Sequence, residues 1–75
     1  MESIDALIRL GKSQLENGSF DEALKSFEQA ISFDQNNPDL WNFLGATLRS
    51  LGRYDEAIDC FNKSLKIDPR DKDSS

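Results

Sequence analysis

The sequence has no histidine and one cysteine, and these scarcities remove much of the usual chemistry of enzymes and metal sites. Without histidine, the chain lacks the commonest general base and the commonest metal ligand. Cys60 alone can form neither an intrachain disulfide nor a zinc site, and no histidine can activate its thiol. We therefore expect a non-enzymatic protein with no cofactor and no metal, in which Cys60 is a small, semi-buried packing residue.

Long apolar runs and an excess of positive charge are also missing. No apolar run approaches the roughly 18 residues of a membrane-spanning helix. With 14 acidic and nine basic residues, the net charge of −5 argues against binding to phosphate backbones. The start of the chain lacks the basic and apolar segments of a signal peptide. We expect a single domain over residues 1–75, cytoplasmic, with no nucleic-acid or membrane partner.

The chain repeats itself with a period of 34 residues. Nine of 34 aligned positions are identical, whereas chance gives about two. The identical pairs are Asp5/Asp39, Leu10/Leu44, Gly11/Gly45, Gly18/Gly52, Asp21/Asp55, Glu22/Glu56, Ala23/Ala57, Phe27/Phe61 and Asp34/Asp68. Residues 4–37 and 38–71 are therefore two copies of one unit, and residues 72–75 form a short tail.

Each unit is predicted to contain two helices, because apolar residues recur at helical spacing and no alternating strand pattern occurs. Asn37 is a suitable N-cap with Pro38 in the first turn, and Gly18 and Gly52 are suitable left-handed stops. The pattern predicts four antiparallel helices near residues 4–17, 20–33, 38–51 and 54–68. The apolar stripe of the last helix consists of Tyr54, Ala57, Ile58, Phe61 and Leu65.

Small residues recur at the same phase inside these helices. Glycine within a helix costs about 1 kcal/mol relative to alanine, yet Gly11 and Gly45 both occupy such positions. This predicts a close approach between helices, with Ala23 and Ala57 on the facing helices.

The two units resemble the tetratricopeptide repeat in period, helix pairing and motif. The second unit carries Trp41-x-x-Leu44-Gly45, Gly52-Arg53-Tyr54-Asp55-Glu56-Ala57, Phe61 and Asp68-Pro69, and the first carries Leu7-x-x-Leu10-Gly11, Gly18-Ser19-Phe20-Asp21-Glu22-Ala23, Phe27 and Asp34. The departures are Leu7 for tryptophan, Gln14 and Leu48 for an aromatic residue, and Gln35 for the terminal proline. The resemblance implies an all-α, right-handed superhelix that acts as a scaffold and binds a protein or peptide along its concave face.

In such a fold the first helix of each unit lines the concave face. The residues there are Ile8, Arg9, Lys12, Leu15, Asn42, Phe43, Ala46 and Arg49. Apolar side chains among cations suit a helix or an extended peptide, so replacing Phe43 and Arg49 with alanine is expected to weaken binding with helicity intact. Two alternatives to a peptide groove are that these residues contact a neighbouring subunit or that they are half-exposed only incidentally. Ile8 and Lys12 stand where some relatives have the lysine and asparagine of a carboxylate clamp, so that mode of binding is not expected.

Two other interpretations remain open, namely a self-associating assembly unit and a two-repeat fragment of a longer solenoid. The last helix has no following repeat to cover its apolar residues, which are Ile58, Phe61, Leu65 and Ile67. Burial of one such side chain is worth roughly 1.5–3 kcal/mol. We expect a homo-oligomer, formed through a two-fold contact at about tens to hundreds of micromolar.

Overall fold

A computed structural model describes residues 3–68, and this part of the chain contains four α-helices and no strand. The helices are α1 (Ile4–Glu16), α2 (Phe20–Phe33), α3 (Pro38–Ser50) and α4 (Tyr54–Ile67). Their bounds agree with the predicted ones to within one residue, and the predicted all-α fold is confirmed. Pro69, the last residues of the second unit and the tail 72–75 lie outside the described residues.

Glycine ends the first helix of each unit, as predicted. Gly18 and Gly52 have φ angles of 84° and 83°, in the left-handed region where glycine has no steric penalty. The amide of the next residue then donates back into the last turn: Ser19 N–H lies 2.8 Å from the carbonyl of Gln14, and Arg53 N–H lies 2.9 Å from that of Leu48. These bonds satisfy carbonyls that the helix end leaves unpaired.

Side-chain caps define the starts of α1 and α3. The Asn37 side chain accepts a hydrogen bond from the Asp39 amide at 3.0 Å, with Pro38 in the first turn, as the sequence predicts. Ser3 caps α1 in the same way, accepting from the Ala6 amide at 3.2 Å. Both units therefore begin with a local signal that needs no tertiary contact.

The helices pack as two antiparallel hairpins, α1 with α2 and α3 with α4, and α2 joins them by packing on α3. One apolar core runs through both hairpins. Its buried members are Leu7, Ala23, Phe27, Ala30, Ile31, Leu40, Leu44, Leu48, Ala57 and Cys60. Two of its large side chains, Phe27 of α2 and Leu40 of α3, are fully buried.

The repeated glycines make room for the rings of the repeated phenylalanines. A β-carbon at Gly11 would lie 2.6 Å from Cε1 of Phe27, and one at Gly45 would lie 2.7 Å from Cε1 of Phe61. Contacts below 3.0 Å are essentially never seen for real β-carbons. The close approach expected from the sequence is thus one in which an aromatic ring packs directly on the glycine backbone of the facing helix.

The apolar stripe of α4 is only partly covered within residues 3–68. Ala57 is buried, but Tyr54, Ile58 and Leu65 are exposed, and Phe61 is half-buried. The reason is positional: α3 covers the outer side of α2, whereas no helix of residues 3–68 covers the outer side of α4.

A polar pair links α1 to α2 at a site where the second unit has an apolar pair. The Ser26 hydroxyl donates to Oε1 of Gln14 at 2.7 Å. The residues 34 positions later, Leu48 and Cys60, are both buried in the core. At this place the first unit has a hydrogen bond between its two helices, and the second unit has two buried apolar side chains.

We expect the polar pair of the first unit to be replaceable by the apolar pair of the second unit only when both residues are changed together. Ser26→Ala should lower the unfolding free energy by about 0.5–1.5 kcal/mol, because it leaves the Gln14 amide without this donor. The double variant Gln14→Leu/Ser26→Cys, which copies the second unit, should recover most of that loss. Urea titrations of Gln14→Leu, Ser26→Cys and the double variant measure the coupling, and strictly additive losses would contradict it.

Candidate functional site

The residues proposed for the concave surface lie on α1 and α3. We call them the α1–α3 face: Ile8, Arg9, Lys12, Leu15, Asn42, Phe43, Ala46 and Arg49. The polar members Arg9, Lys12, Asn42 and Arg49 are exposed, and the apolar members are half-buried. The face therefore combines accessible charge with apolar side chains that are only partly covered.

Phe43 is anchored at the junction of the two hairpins. Its ring stacks on that of Phe27, with the ring centroids 5.4 Å apart and the planes 16° from parallel. Phe27 is fully buried and Phe43 is half-buried. One side of Phe43 therefore belongs to the core, and the rest of the ring contributes to the surface.

Lys12 connects the part of this surface on α1 to the part on α3. Its Nζ lies 5.4 Å from the centroid of the Phe43 ring, within the range of a cation–π attraction. Lys12 belongs to the first unit and Phe43 to the second, so this contact bridges the repeat boundary. The contact thus brings one part of the α1 stripe next to the α3 stripe.

Arg49 extends the surface along α3, two helical turns beyond Asn42. Its Cζ lies 5.9 Å from the centroid of the Phe61 ring. Ala46 lies one turn before it and is half-buried. Two cations of this surface, Lys12 and Arg49, therefore each lie at an aromatic ring, in a chain whose net charge is −5.

The sequence did not indicate the environment of Trp41, which it showed only as part of the repeat motif. The indole is half-buried, its Nε1 donates to the Gln35 carbonyl at 2.9 Å, and Lys63 Nζ lies 5.5 Å from the ring centroid. Only the packing of α3 against α4 brings Lys63 to this ring. No spacing within the sequence could have indicated it.

The second set of proposed contact residues lies on α4. Ile58 and Leu65 are exposed, whereas Phe61 and Ile67 are half-buried. The first half of this helix is acidic, with Asp55, Glu56 and Asp59. Glu56 accepts two hydrogen bonds from Arg53, at 2.8 and 3.1 Å, which raise the pKa of the guanidinium. This pair is exposed, so we expect it to contribute little to stability.

Residues 3–68 contain no cluster of three or more acidic, histidine or cysteine side chains that could hold a metal ion. No helix in that range is long and apolar enough to cross a membrane. An open depression at the turn between α1 and α2 is lined by Gly18, Ser19, Phe20, Asp21 and Glu22. Its two carboxylates lie in the first turn of α2, where they complement the helix dipole.

The Cys60 side chain is buried in the core, which fits a packing role. Burial raises the pKa of its thiol, and the nearby carboxylates of Asp59, Glu56 and Glu28 raise it further. Both effects disfavour the thiolate, which is the reactive form.

We therefore expect Cys60 to react slowly with an aromatic disulfide reagent while the protein is folded. At mildly alkaline pH the rate should be at least about tenfold lower than in concentrated urea, where the thiol is accessible and its pKa is normal. Stopped-flow absorbance in the two conditions measures this ratio. Equal rates would show that the thiol is accessible in the native state.

Two family models match the chain. A model described as Tetratricopeptide repeat matches residues 38–71, and a model described as TPR repeat matches residues 11–48. The matches overlap, and together they include the whole of α2, α3 and α4. A comparison with curated proteins gives no match.

Proposed function

The chain belongs to the tetratricopeptide repeat family, and from this premise we propose that it binds a protein or peptide partner on its α1–α3 face without catalysing a reaction. Repeats of this family typically act as non-catalytic modules of protein–protein interaction. The observation that carries the proposal is the contact of Lys12 with Phe43, which brings parts of the stripes of both units next to each other.

The chemistry of this surface favours a partner with acidic and apolar residues close together. The exposed cations Arg9, Lys12 and Arg49 attract carboxylates, and the amide of Asn42 can donate or accept hydrogen bonds. The half-buried ring and aliphatic side chains of this face can contact apolar residues of the partner, because apolar side chains gain contact area when they are buried further. A helix or an extended strand that alternates acidic and apolar residues fits both requirements.

A selection of random peptides displayed on phage, with the immobilised protein as bait, tests this proposal. The selected peptides should be enriched in aspartate or glutamate beside aromatic or aliphatic residues. For a selected peptide, Lys12→Glu/Arg49→Glu should weaken binding by at least about tenfold, which is 1.4 kcal/mol. The dissociation constant is measured by fluorescence anisotropy of the labelled peptide.

The matched control is Lys25→Glu/Lys66→Glu, which changes the net charge equally but on the exposed sides of α2 and α4. The affinity of this control variant for the selected peptide should stay within about twofold of that of the unmodified protein, since salt screens charges that do not touch the peptide. Melting curves by circular dichroism must show that both double variants fold. Loss of binding in the control alone would place the site on the second helices and refute the proposal.

Self-association is a second candidate function, favoured by the exposure of Ile58 and Leu65 on α4. A soluble chain rarely leaves neighbouring large apolar side chains uncovered without an interaction at that place. A following repeat in a longer solenoid would bury the same residues.

A further inference from the structure

Two helix surfaces meet where α2 packs on α3. The α3 surface has an equivalent on α1, 34 residues earlier, and this equivalent surface is exposed. At the junction, Leu44 of α3 is buried, with 7% of its surface exposed, and Leu40 is fully buried. The equivalent residues of α1 lie 34 positions earlier: Leu10 is 48% exposed, and Ala6 is also exposed. These positions differ because α2 packs on α3, whereas no helix of residues 3–68 packs on the outer side of α1.

The α2 surface of this junction has its equivalent on α4, 34 residues later, and this equivalent surface is also exposed. Ile31 of α2 is 8% exposed, while its equivalent on α4, Leu65, is 47% exposed. Leu24 is half-buried, while its equivalent, Ile58, is 54% exposed. Within residues 3–68, the outer sides of α1 and α4 therefore carry the two halves of an interface that α2 and α3 already make with each other.

We propose that a second copy of this chain docks head to tail, with the outer side of α4 in one copy against the outer side of α1 in the next. The contact would repeat the packing of α2 on α3. In this arrangement Leu10 of one copy takes the place of Leu44 and meets Ile58 and Leu65 of the other copy.

The aromatic stack at the inner junction has a charged counterpart in the proposed contact. Phe61 occupies the position equivalent to Phe27, and Arg9 occupies the position equivalent to Phe43. A guanidinium over an aromatic ring is a favourable pair, so Arg9 can replace the ring that stacks at the inner junction. Arg9 also brings a positive charge to α4, whose first half is acidic.

The proposed contact is weaker than the inner junction, because several of its side chains are smaller. Ala6 replaces Leu40, and Ser13 replaces Thr47, so less apolar surface is covered on the α1 side. We expect a dissociation constant of about tens to hundreds of micromolar, as is usual for small interfaces.

A two-fold contact between two α4 helices is the geometry expected from the sequence, and it is disfavoured because it leaves Leu10 exposed in both copies. A head-to-tail contact covers Leu10, and because it does not close on itself, it can add further copies.

Sedimentation equilibrium of the protein and two variants tests this geometry. Between about 10 and 500 µM, the average mass of the unmodified chain should rise beyond twice the 8.5 kDa of one chain. Leu10→Glu and Leu65→Glu should each remain monomeric, because each variant has one defective end and cannot pair with itself. Gln29→Glu, an equal charge change at an exposed position of α2, should associate like the unmodified chain.

An equimolar mixture of the two variants gives the decisive result. The intact α4 of Leu10→Glu can receive the intact α1 of Leu65→Glu, so the mixture should form dimers of twice 8.5 kDa and nothing larger. Leu10 and Leu65 are both about half exposed, so glutamate is compatible with folding. Should circular dichroism show lost helicity, Leu10→Ser and Leu65→Ser replace them.

Two outcomes would overturn the proposal. If Leu10→Glu dimerises while Leu65→Glu is monomeric and the mixture forms no additional dimer, the contact is two-fold and involves α4 alone. If the unmodified chain stays monomeric up to about 1 mM, its ends do not recognise each other in solution.

Discussion

Gly11→Leu is expected to lower the unfolding free energy by about 3 kcal/mol or more, the upper end of the range for overpacking a core. The new side chain must occupy space held by the ring of Phe27, which a β-carbon alone would approach to 2.6 Å. Phe27 is fully buried and stacks on Phe43, so it has no place to move. A chain of this size gains only about 3–5 kcal/mol from a single core, and this variant should therefore be largely unfolded.

The equivalent substitution in the second unit provides a matched comparison. Gly45→Leu displaces Phe61, which is half-buried and can turn outwards, so the expected loss is smaller, about 1–3 kcal/mol. Ala57→Leu should cost a similar amount, because Ala57 is almost fully buried. Thermal melts followed by circular dichroism rank the variants, and a Gly11→Leu protein that melts with the original would contradict the packing described here.

A compensating substitution distinguishes overpacking from a general intolerance of leucine. In Gly45→Leu/Phe61→Ala, the leucine can fill space left by the ring. The double variant should therefore lose at least about 1 kcal/mol less than the sum of the two single losses. Simple additivity would show that the glycine and the ring do not share the same space.

Phe43→Ala is expected to cost about 2–3 kcal/mol, somewhat less than the roughly 3–5 kcal/mol for a fully buried phenylalanine, because Phe43 is half-buried. It removes the ring that stacks on Phe27 and lies under Lys12, and both contacts hold the two hairpins together. Urea titrations followed by circular dichroism and by Trp41 fluorescence should show a lower midpoint. If the hairpins then unfold separately, the two probes should also give different midpoints.

The control for this prediction is Phe33→Ala, the same substitution at a ring that is 67% exposed. It should change the stability by no more than about 0.5 kcal/mol. Equal losses at positions 33 and 43 would mean that the stack has no special weight. Because Phe43→Ala affects stability, the charged residues Lys12 and Arg49 are the cleaner probes of binding.

The residues of the candidate site were predictable from the sequence as a helical stripe, but their environments were not. Spacing placed Lys12 on one face of α1 and Phe43 on one face of α3. It could not show that Phe43 also packs into the core or that Lys12 reaches it across the repeat boundary. Those contacts depend on the angle and distance between helices, which periodicity does not encode.

The sequence alone determined the two units, the four helices and the glycines that end α1 and α3, because periodicity, capping and the left-handed stop are local properties of the chain. The sequence also led us to expect uncovered apolar residues on α4, but only the tertiary structure decided how far the apolar side chains of the other helices are covered. Leu10 and Leu44 are the same residue at the same place in the repeat, yet one is half exposed and the other is buried. The difference comes from the neighbouring helix, since burial of a side chain depends on what packs against it.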